Sequence, residues 1–358
     1  MARHIAVFGA MGAEYVSIIK DAFAAIPDWQ IDVWACDDDE AGRDSVIAQC
    51  EVAVISPDFV LTEGNFGALM QAPHLKVMVQ PWVGIDWIDT SFLPEGLLVC
   101  NAGGHAVPMA EYVMGAILEH TLQLRVLHND MGRGDWSRSG RNSEHSSRHS
   151  DCAGKTLGLV GYGEIAQAVA RRATAFDMRV CAIANSPREA TPAPLDWIGT
   201  QDDLHKLLGE SDFVALTCDL NDNTQGLINA AAFAAMSPDA YLVNVARGEV
   251  IDEDALHQAL AQKTIAGAAL DTWYRYPSNI ATAEPDPEKG GAFQGSRHDF
   301  LALDNVLLTP HSSAHTQGAD KGRYYSIAET LRDYAQDKPM RRHVLTGTGG
   351  NPDEFVLP

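Results

Sequence analysis

Short apolar runs alternate with helical patterns in the first part of the chain. The runs predict strands at HIAVFG (4–9), IDVWA (31–35), VAVIS (52–56), LKVMVQ (75–80) and LLVCN (97–101). Helices are predicted between them at about 13–25, 40–50 and 64–72. Because parallel strands need crossover connections that are usually helices, this alternation predicts a parallel sheet with helices on both faces.

A second alternating series occupies the later part of the chain. Its strand candidates are KTLGLVG, MRVCAIA, DFVALTC, YLVNVA, IAGAALD and NVLLTPH. Helices are predicted after the first of these strands and at about 201–209, 230–236, 252–261 and 318–337. The two series together predict an α/β fold of two doubly wound parallel-sheet domains.

Three stretches depart from the alternation. Residues from about 106 to 132 form one long helical pattern, whose dense apolar positions predict burial on more than one side. Residues 133–153 are polar, rich in Ser and Arg and without periodicity, which predicts a loop or linker. Residues 278–300 are rich in Pro, Gly and charge, and they predict an excursion from the second series.

Composition narrows the class of protein. The chain has 358 residues, which favours two domains, and its 46% hydrophobic and 21% charged residues are ordinary for a globular protein. Lys and Arg total 26 against 48 Asp and Glu, so a formal charge of -22 repels phosphate backbones and anionic lipids. No apolar stretch approaches the roughly 20 residues that cross a bilayer. We therefore expect neither a nucleic-acid nor a membrane partner.

The cysteines indicate a reducing compartment. They form no C-x-x-C pair and no zinc-binding spacing, and several stand inside apolar runs. The six are Cys36, Cys50, Cys100, Cys152, Cys181 and Cys218. We expect buried, reduced thiols, no metal site and a cytoplasmic location.

One glycine motif carries a specific chemical prediction. Gly161-x-Gly163-x-x-Ala166 follows an apolar strand and opens an amphipathic helix. In this context the first glycine permits a tight turn, and the second lets the backbone approach a pyrophosphate. The small third residue lets the helix pack closely on the strand, and the N–H groups of the helix N-terminus attract the phosphates. The motif therefore predicts a dinucleotide cofactor.

The turn after the next strand bears on which dinucleotide binds. An acid usually stands there and holds the adenosine ribose hydroxyls, but no Asp or Glu lies between Met178 and Arg188. Asn185, Ser186 and Arg188 could instead donate hydrogen bonds to a 2′-phosphate. We expect NADP or NAD, with NADP slightly favoured; the alternative is a surface turn that tolerates either cofactor.

A set of longer motifs stands in a characteristic order. They are VQPWVGIDWID (79–89), NAGGHAVPMAEY (101–112), GYGEIAQA (161–168), NVARGEVIDEDAL (244–256), IAGAALD (265–271) and NVLLTPHSSAH (305–315). Together they closely resemble the D-isomer-specific 2-hydroxyacid dehydrogenase family, which includes phosphoglycerate, glyoxylate and hydroxypyruvate reductases and NAD-dependent formate dehydrogenase. The resemblance covers about residues 75–337.

The resemblance implies a discontinuous architecture. Residues 1–102 and 316–358 would form a flavodoxin-like substrate-binding domain, and residues 103–315 would form a Rossmann NAD(P)-binding domain. A cleft between the two would hold the substrate and the nicotinamide. Members of the family are typically homodimers, and the long helix near 106–132 would contribute to the interface.

The resemblance also implies catalytic roles. Arg247 follows YLVNVA and matches the family arginine, whose planar guanidinium grips a carboxylate and polarises the neighbouring carbonyl. His311 follows NVLLTP and matches the family histidine, and imidazole suits proton transfer near neutral pH. Both follow predicted strands, where ligands gather in α/β sheets. His315 lacks the acidic context of a zinc-binding helix, so no metal is expected.

Further matched positions outline the expected contacts. The substrate would contact Arg247, the backbone of Val83 and Gly84, an aromatic wall at Trp82, and a second loop of the cleft with Asn101, Gly103, Gly104 and His105. The cofactor would contact Met109, Gly161, Gly163, Glu164, Ile165, Asn185, Ser186, Arg188, Thr217, Asp219, Thr224, Val245, Ala246, Asp271, His311 and Ser313.

One position departs from the family pattern. Many members read D-V-F-E-x-E-P, in which the second Glu hydrogen-bonds the catalytic histidine, whereas this chain reads DTWYRYP with Tyr276 at that place. A carboxylate raises the pKa of an imidazole and orients the ring, whereas a tyrosine orients it without adding charge. We predict that Tyr276 is catalytic and lies within hydrogen-bonding reach of His311, and that Trp273 belongs to the core.

These residues favour an NAD(P)-dependent oxidoreductase that interconverts a 2-hydroxy acid and a 2-keto acid by hydride transfer. Arg247 would bind and polarise a small carboxylic-acid substrate, and His311 would act as acid and base. Formate dehydrogenases of the family also lack the acid at the Tyr276 position, so formate-like hydride abstraction without proton transfer is an alternative. A non-catalytic, NAD(H)-sensing corepressor on the same fold is a third.

Overall fold

The computed structural model describes residues 3–35, 40–62, 64–85, 87–141, 148–276 and 295–349. The chain divides into two compact units. Unit 1 comprises Met1–His105 and Thr316–Pro358, and unit 2 comprises Ala106–His315. Cys36 and most of the predicted excursion at 278–300 lie outside the described residues.

Unit 1 contains one sheet with helices packed beside it. Its strands are β1 (Arg3–Phe8), β2 (Trp29–Trp34), β3 (Val52–Val54), β4 (Val77–Val79), β5 (Leu98–Cys100) and β13 (His343–Thr346). Its helices are α1 (Ala10–Phe23), α2 (Glu40–Ile47), α3 (Pro57–Leu61), α4 (Asn65–Met70) and α11 (Gln317–Ala335). The strand order is β13-β5-β4-β3-β1-β2, and β13 pairs antiparallel with β5 whereas the other pairs are parallel.

The inner strands of unit 1, such as β3 and β4, are buried on both faces, as parallel strands between helix layers must be. In β1, Ile5 and Val7 pack on the side of α1 and α11, whereas Ala6 and Phe8 pack on the side of α3 and α4. Successive side chains of a strand point to opposite faces, so an uninterrupted apolar run supplies both layers of the core.

Unit 2 contains a larger, fully parallel sheet. Its strands are β6 (Thr156–Val160), β7 (Arg179–Ile183), β8 (Trp197–Gly199), β9 (Phe213–Leu216), β10 (Tyr241–Asn244), β11 (Gly267–Leu270) and β12 (Val306–Leu308). Its helices are α5 (Ala106–Leu122), α6 (Leu124–Gly132), α7 (Glu164–Thr174), α8 (Leu204–Glu210), α9 (Ala230–Ala235) and α10 (Glu253–Ala261). The seven strands stand in the order β12-β11-β10-β9-β6-β7-β8.

Helices cover both faces of this second sheet. Helices α5 and α7 enclose one apolar cluster with alternate residues of β6 and β9, and α8, α9 and α10 enclose the other. Helix α5 is buried through Val113 and Ile117, which pack in the first of these clusters. The two parallel-sheet units confirm the predicted fold class.

Four elements differ from the predictions, one of them the short helix α3 (Pro57–Leu61), which the sequence pattern does not predict. The single helix predicted over about 106–132 is wrong: α5 and α6 are separate, because Gln123 has φ 56° in the left-handed region, which an α-helix does not tolerate. The edge strands β8 and β13 were not predicted, since short edge strands lack a continuous apolar run.

Among the described residues, no helix is long and apolar enough to cross a membrane.

Candidate active site

A glycine turn follows β6 at the point where the strand order reverses. Because β6 lies between β9 and β7, the loops after β6 and β9 flank a crevice at the carboxyl edge of the sheet. Gly161 has φ 92°, and a Cβ there would lie 2.8 Å from the backbone nitrogen of Cys218. A Cβ on Gly163 would meet no described atom within 4 Å. The turn is therefore tightly packed at Gly161 and open to a ligand at Gly163.

The N-terminus of α7 faces this open turn. The N-cap residue is Gly163, which brings no capping side chain, and Glu164 and Ile165 open the helix. The Thr217 hydroxyl donates to the carbonyl oxygens of Gly161 at 3.1 Å and Val160 at 3.3 Å, which fixes the turn. Helix N-terminal N–H groups beside an open glycine backbone fit a pyrophosphate.

Unit 1 contains a comparable glycine turn at Gly9, between β1 and α1, but a protein side chain closes it. Gly9 has φ 91°, and the carboxylate of Asp58 accepts a hydrogen bond of 2.7 Å from the backbone N–H of Ala10. Ser56 donates to the same carboxylate. An anion of the protein thus occupies the N-terminus of α1, so the turn after β6 is the better candidate for a phosphate.

The turn after β7 is exposed and carries the residues predicted to select the cofactor. Asn185, Ser186 and Arg188 are all exposed there. Burial raises the pKa of the Tyr162 phenol in the glycine turn, and the guanidinium groups of Arg171 and Arg188 oppose that rise. The two arginines therefore place positive charge close to the glycine turn.

Other predicted cofactor positions fall in two environments. Thr224 is bound within its own loop, where its hydroxyl donates to the Asp219 carbonyl at 2.7 Å. Val245 and Ala246, which follow β10, are buried, as is Met109 of α5. Val245 and Ala246 therefore lie at the carboxyl edge of the sheet, directly after β10.

The order of β10, β11 and β12 brings the remaining predicted residues together. These strands are neighbours and parallel, so the segments that follow them meet at one edge of the sheet. Arg247 follows β10, Asp271 follows β11, and residues 309–313 follow β12. Residues that are distant in the sequence therefore converge.

Asp271 is the centre of this convergence. The residue is fully buried, and its Oδ1 accepts hydrogen bonds from the Thr309 hydroxyl at 2.6 Å and the Ser312 N–H at 2.8 Å. Its Oδ2 accepts from the Ser313 N–H at 2.9 Å. A buried carboxylate with three donors is well satisfied, and here it fixes the backbone on both sides of His311.

His311 itself has an unusual backbone conformation. Its φ is 55°, in the left-handed region that residues other than glycine rarely adopt. Such a conformation persists only where the surroundings impose it. The bonds from Ser312 and Ser313 to Asp271 supply that restraint.

Tyr276 lies beside His311. The centroids of the two rings are 5.5 Å apart and the rings are tilted by 43°. The Tyr276 hydroxyl accepts a hydrogen bond of 3.1 Å from the Trp273 backbone N–H. Although 43% of the residue is exposed, partial burial of the phenol raises its pKa. The Arg247 guanidinium opposes that rise, so it too is near the phenol. A hydrogen bond between Tyr276 and His311 stays a prediction.

Asn244, which is not among the predicted residues, organises the arginine loop. It is buried at the end of β10, and its Nδ2 donates to the Arg247 carbonyl at 2.9 Å while its Oδ1 accepts from the Ala246 N–H at 3.0 Å. The Arg247 Nη1 donates to the Ala246 carbonyl at 2.8 Å. The loop is therefore braced by its own polar groups. The only signal in the sequence is a polar residue inside the apolar run YLVNVA.

In unit 1, the predicted substrate loop is braced in a similar way. Asn101 donates to the Val83 carbonyl at 3.0 Å, and Gln80 donates to the Gly84 carbonyl at 2.8 Å. Gln80, which is fully buried, also accepts a hydrogen bond of 3.1 Å from the indole of Trp87. Gln80 is not among the predicted residues, and its only signal in the sequence is a polar residue at the end of LKVMVQ.

The second predicted loop of unit 1 is closely packed. Gly103 donates its N–H to Ser326 at 2.9 Å, and a Cβ on Gly104 would overlap the backbone of Gly322 in α11. His105 is buried, directly before α5 begins. Trp82 is partly buried, with its ring 6.1 Å from that of Trp87 in an edge contact.

The part of the chain that the structure describes contains no group of three His, Cys, Asp or Glu side chains able to hold a metal ion. The described cysteines are free thiols, and all but Cys218 are buried. Burial raises the pKa of Cys218, beside the glycine turn, to about 12, so this thiol is protonated at neutral pH.

Comparison with known proteins settles the family. A family description, "D-isomer specific 2-hydroxyacid dehydrogenase, NAD binding domain", matches residues 114–313. This chain belongs to the D-isomer specific 2-hydroxyacid dehydrogenase family. The predicted enzyme class, an oxidoreductase that uses NAD or NADP on 2-hydroxy acids, is thereby confirmed.

Named relatives of this dehydrogenase agree with that assignment. It is 32% identical over 260 residues to the hydroxypyruvate reductase of Thermotoga maritima, covering 72% of this chain and 77% of the relative. It is 33% identical over 265 residues to the D-3-phosphoglycerate dehydrogenase of Methanocaldococcus jannaschii, covering 73% of this chain and about half, 46%, of that longer protein.

A solved structure shares the fold. It is a D-isomer specific 2-hydroxyacid dehydrogenase from Xanthobacter autotrophicus Py2 in complex with NADPH and MES. The TM-score is 0.71 at 21% identity, over 99% of this dehydrogenase and 100% of that chain. At this identity the likeness shows the fold and not the substrate.

Within unit 2 of this dehydrogenase, the structure brings together four of the predicted residues: Arg247, Asp271, Tyr276 and His311. Trp273 is buried, as predicted, and its indole donates to the Thr309 carbonyl at 2.8 Å. Asp271 was predicted only as a cofactor contact. In the structure, Asp271 makes three hydrogen bonds to the loop that carries His311.

Proposed function

We propose that Arg247 and His311 are the catalytic side chains of this dehydrogenase and that its substrate is a small 2-keto or 2-hydroxy acid. The observation that carries the proposal is the convergence after β10, β11 and β12, where Asp271 holds the His311 loop and Tyr276 lies beside both His311 and Arg247. A cation and an imidazole at one edge of a sheet suit an anionic substrate whose carbonyl must gain or lose a proton.

Unit 2 is proposed to hold the dinucleotide through Gly161, Gly163 and the N-terminus of α7, whose open turn fits a pyrophosphate. The Ser313 hydroxyl, beside the His311 loop, is buried and has no hydrogen-bond partner in the described structure. A buried hydroxyl of this kind favours a polar ligand group, such as the carboxamide of a nicotinamide. The cofactor, when bound, supplies or accepts the hydride.

Side chains of the protein would bind the substrate and transfer the proton. The Arg247 guanidinium grips the substrate carboxylate and draws electron density from the neighbouring carbonyl. His311 gives a proton to the carbonyl oxygen in reduction and removes it in oxidation. Asp271 and Tyr276 keep the imidazole in place.

In unit 1 we propose that the backbone of Val83 and Gly84 binds the substrate carboxylate. Support comes from the bracing of both carbonyl groups by Asn101 and Gln80, which fixes the orientation of the intervening peptides. The Asn101 Oδ1 is buried and unpartnered among the described residues, so it is a candidate acceptor for a substrate hydroxyl.

A panel of 2-keto acids tests the proposed function. Purified protein is mixed with NADPH or NADH and with glyoxylate, pyruvate, hydroxypyruvate or a longer keto acid, and loss of absorbance of the reduced cofactor is recorded. We expect turnover with at least one keto acid and none with the amide of the same compound. Turnover of formate alone, with NADP or NAD, would favour the formate-like alternative.

The exposed turn after β7 leads to a prediction on cofactor choice. Arg188→Ala is expected to weaken NADPH binding roughly tenfold or more while changing NADH binding less than twofold, because a charge-assisted hydrogen bond contributes about 1.5–3 kcal/mol. Fluorescence titration of both cofactors measures the ratio. Arg179→Ala is the matched control, since Arg179 begins β7 and pairs with Asp196 at 2.8 Å. Equal losses for both cofactors in Arg188→Ala would contradict the assignment.

Tyr276 leads to a prediction on pH dependence. Tyr276→Glu is expected to move the falling limb of the reduction rate to higher pH, because a nearby carboxylate stabilises imidazolium and raises the pKa of His311. A histidine with a raised pKa keeps its proton to higher pH, so reduction persists there. Tyr276→Phe should leave the limb in place, since it removes a hydroxyl and no charge. Rates are measured between about pH 5 and 10, and an unmoved limb in the Glu variant would refute an influence of residue 276 on the protonation of His311.

We further propose a cytoplasmic homodimer. Exposed apolar side chains concentrate on α5, α6 and the following turn, where Val107, Leu124, Val126, Met131 and Trp136 are 41–65% exposed. Apolar surface of this extent along one segment is typical of a protein–protein interface. The free thiols of the described cysteines support a reducing compartment.

A further inference from the structure

A partly buried chain of hydroxyl groups leads from helix α5 to the buried Asp271 carboxylate that holds the His311 loop. The Tyr112 hydroxyl lies 2.6 Å from the Thr309 Oγ1, and that Oγ1 donates to the Asp271 Oδ1 at 2.6 Å. Because Thr309 has one hydroxyl hydrogen and gives it to Asp271, Tyr112 must be the donor in the first bond. The direction is therefore fixed from Tyr112 through Thr309 to Asp271.

The chain ends on the groups that hold His311. Asp271 accepts hydrogen bonds from the backbone N–H groups of Ser312 and Ser313. These residues directly follow His311, whose φ is 55°. The Thr309 backbone is fixed as well, since Trp273 donates to its carbonyl at 2.8 Å. Chained hydrogen bonds polarise one another, so the outer hydroxyl strengthens the inner bond.

We propose that Tyr112 and Thr309 are positioning residues for His311. Tyr112 holds the Thr309 hydroxyl, and Thr309 orients the Asp271 carboxylate. The carboxylate in turn fixes the backbone of the loop that carries the His311 imidazole. The proposal rests on the proposed role of His311 and adds the residues that determine its placement. Burial raises the pKa of Tyr112 to about 12, so the phenol remains a donor throughout the working pH range.

The first test measures the loop in the protein without cofactor or substrate. Hydrogen–deuterium exchange of the peptide that contains Ser312 and Ser313 should become several-fold faster in Tyr112→Phe. Tyr241→Phe is the matched control, because Tyr241 of β10 is a buried tyrosine that also packs on α5, with its ring stacked on His120 at 4.0 Å. Equal acceleration in both variants would assign the effect to general packing and overturn the proposal.

The second test separates positioning from binding. In Tyr112→Phe we expect kcat to fall about tenfold with the KM of the keto acid changed less than twofold, because a misplaced acid slows the chemical step without removing the carboxylate contact. Thr309→Val should lose at least as much, and Thr309→Ser, which keeps the hydroxyl, should stay within threefold of wild type. Adding Tyr112→Phe to Thr309→Val should cost nothing more, because the chain is already broken.

Failure of this proposal is distinguishable from failure of the proposed function. Unchanged exchange at Ser312 and Ser313 in Tyr112→Phe overturns the positioning role, whatever the activity. If exchange is accelerated in Tyr112→Phe but the His311 variant keeps full activity, the positioning role of the hydroxyl chain stands and the catalytic role of His311 is refuted. Should Tyr112→Phe not fold, equal exchange and kcat in Thr309→Ser and Thr309→Val would overturn the proposal.

Discussion

Replacing His311 with asparagine is expected to lower kcat for keto-acid reduction by roughly 100-fold or more, the usual contribution of a positioned acid or base. Asparagine is chosen because it tolerates the left-handed φ of 55° that this position requires, whereas alanine would add backbone strain. The KM of the substrate should change little, since Arg247 still grips the carboxylate. Steady-state kinetics with saturating cofactor measure both quantities.

His315→Asn is the matched control for that experiment. The residue lies in the same segment and is exposed, and its backbone N–H bonds the Ser312 carbonyl at 2.9 Å. We expect its kcat to stay within twofold of wild type. Retained activity in His311→Asn would favour the formate-like alternative, in which hydride leaves a substrate that needs no proton transfer. Cofactor binding without turnover of any substrate by the wild type would favour the sensing role.

Much of the fold could be predicted from the sequence, because each buried strand must bury both faces. The apolar runs at 4–9 and 52–56 became β1 and β3, and the run YLVNVA became β10. Boundaries that depend on one backbone angle could not be predicted in this way. Gln123 ends α5 by adopting φ 56°, and the apolar pattern continues through that break unchanged.

The candidate site could be predicted in part. Arg247 and His311 stand after strands whose order in a Rossmann sheet is regular, so their convergence follows from the motifs. Tyr112 and Thr309 are 197 positions apart in sequence, and their hydrogen bond depends on how α5 packs on the sheet. No local pattern encodes such a contact. Asp271 shows the same limit, since its position predicted a cofactor contact but not the loop that it holds.

The two glycine turns show why a motif needs its surroundings. Gly9 and Gly161 both follow a strand, have φ near 90° and precede a helix. Only the contacts distinguish them: the Asp58 carboxylate bonds the Ala10 N–H, whereas Gly163 faces open space. The Asp58 carboxylate belongs to α3 and is far from Gly9 in the sequence. Only the structure therefore shows that it closes the Gly9 turn.

Replacing Arg247 with alanine is expected to reduce kcat/KM for the keto acid by roughly 10³-fold. Two hydrogen bonds from a guanidinium to a carboxylate contribute about 2 kcal/mol each, and each 1.4 kcal/mol corresponds to a factor of ten. Both parameters should change: KM rises because the carboxylate loses its partner, and kcat falls because the carbonyl is no longer polarised. This pattern differs from that of His311→Asn, in which kcat alone is expected to fall.

Arg247→Lys refines the prediction, because lysine keeps the charge but loses the planar pair of donors. We expect a loss of intermediate size that falls mainly on kcat, since a point charge attracts the carboxylate without aligning the carbonyl. Arg172→Ala removes a charge elsewhere in unit 2, where Arg172 pairs with Glu111 at 3.4 Å, and it should leave both parameters within twofold. Titration of NADPH into Arg247→Ala should show unchanged affinity, because the glycine turn after β6 is untouched. If the alanine variant instead lost cofactor affinity and kept its KM for the keto acid, Arg247 would belong to the cofactor site, and the substrate carboxylate would need another partner.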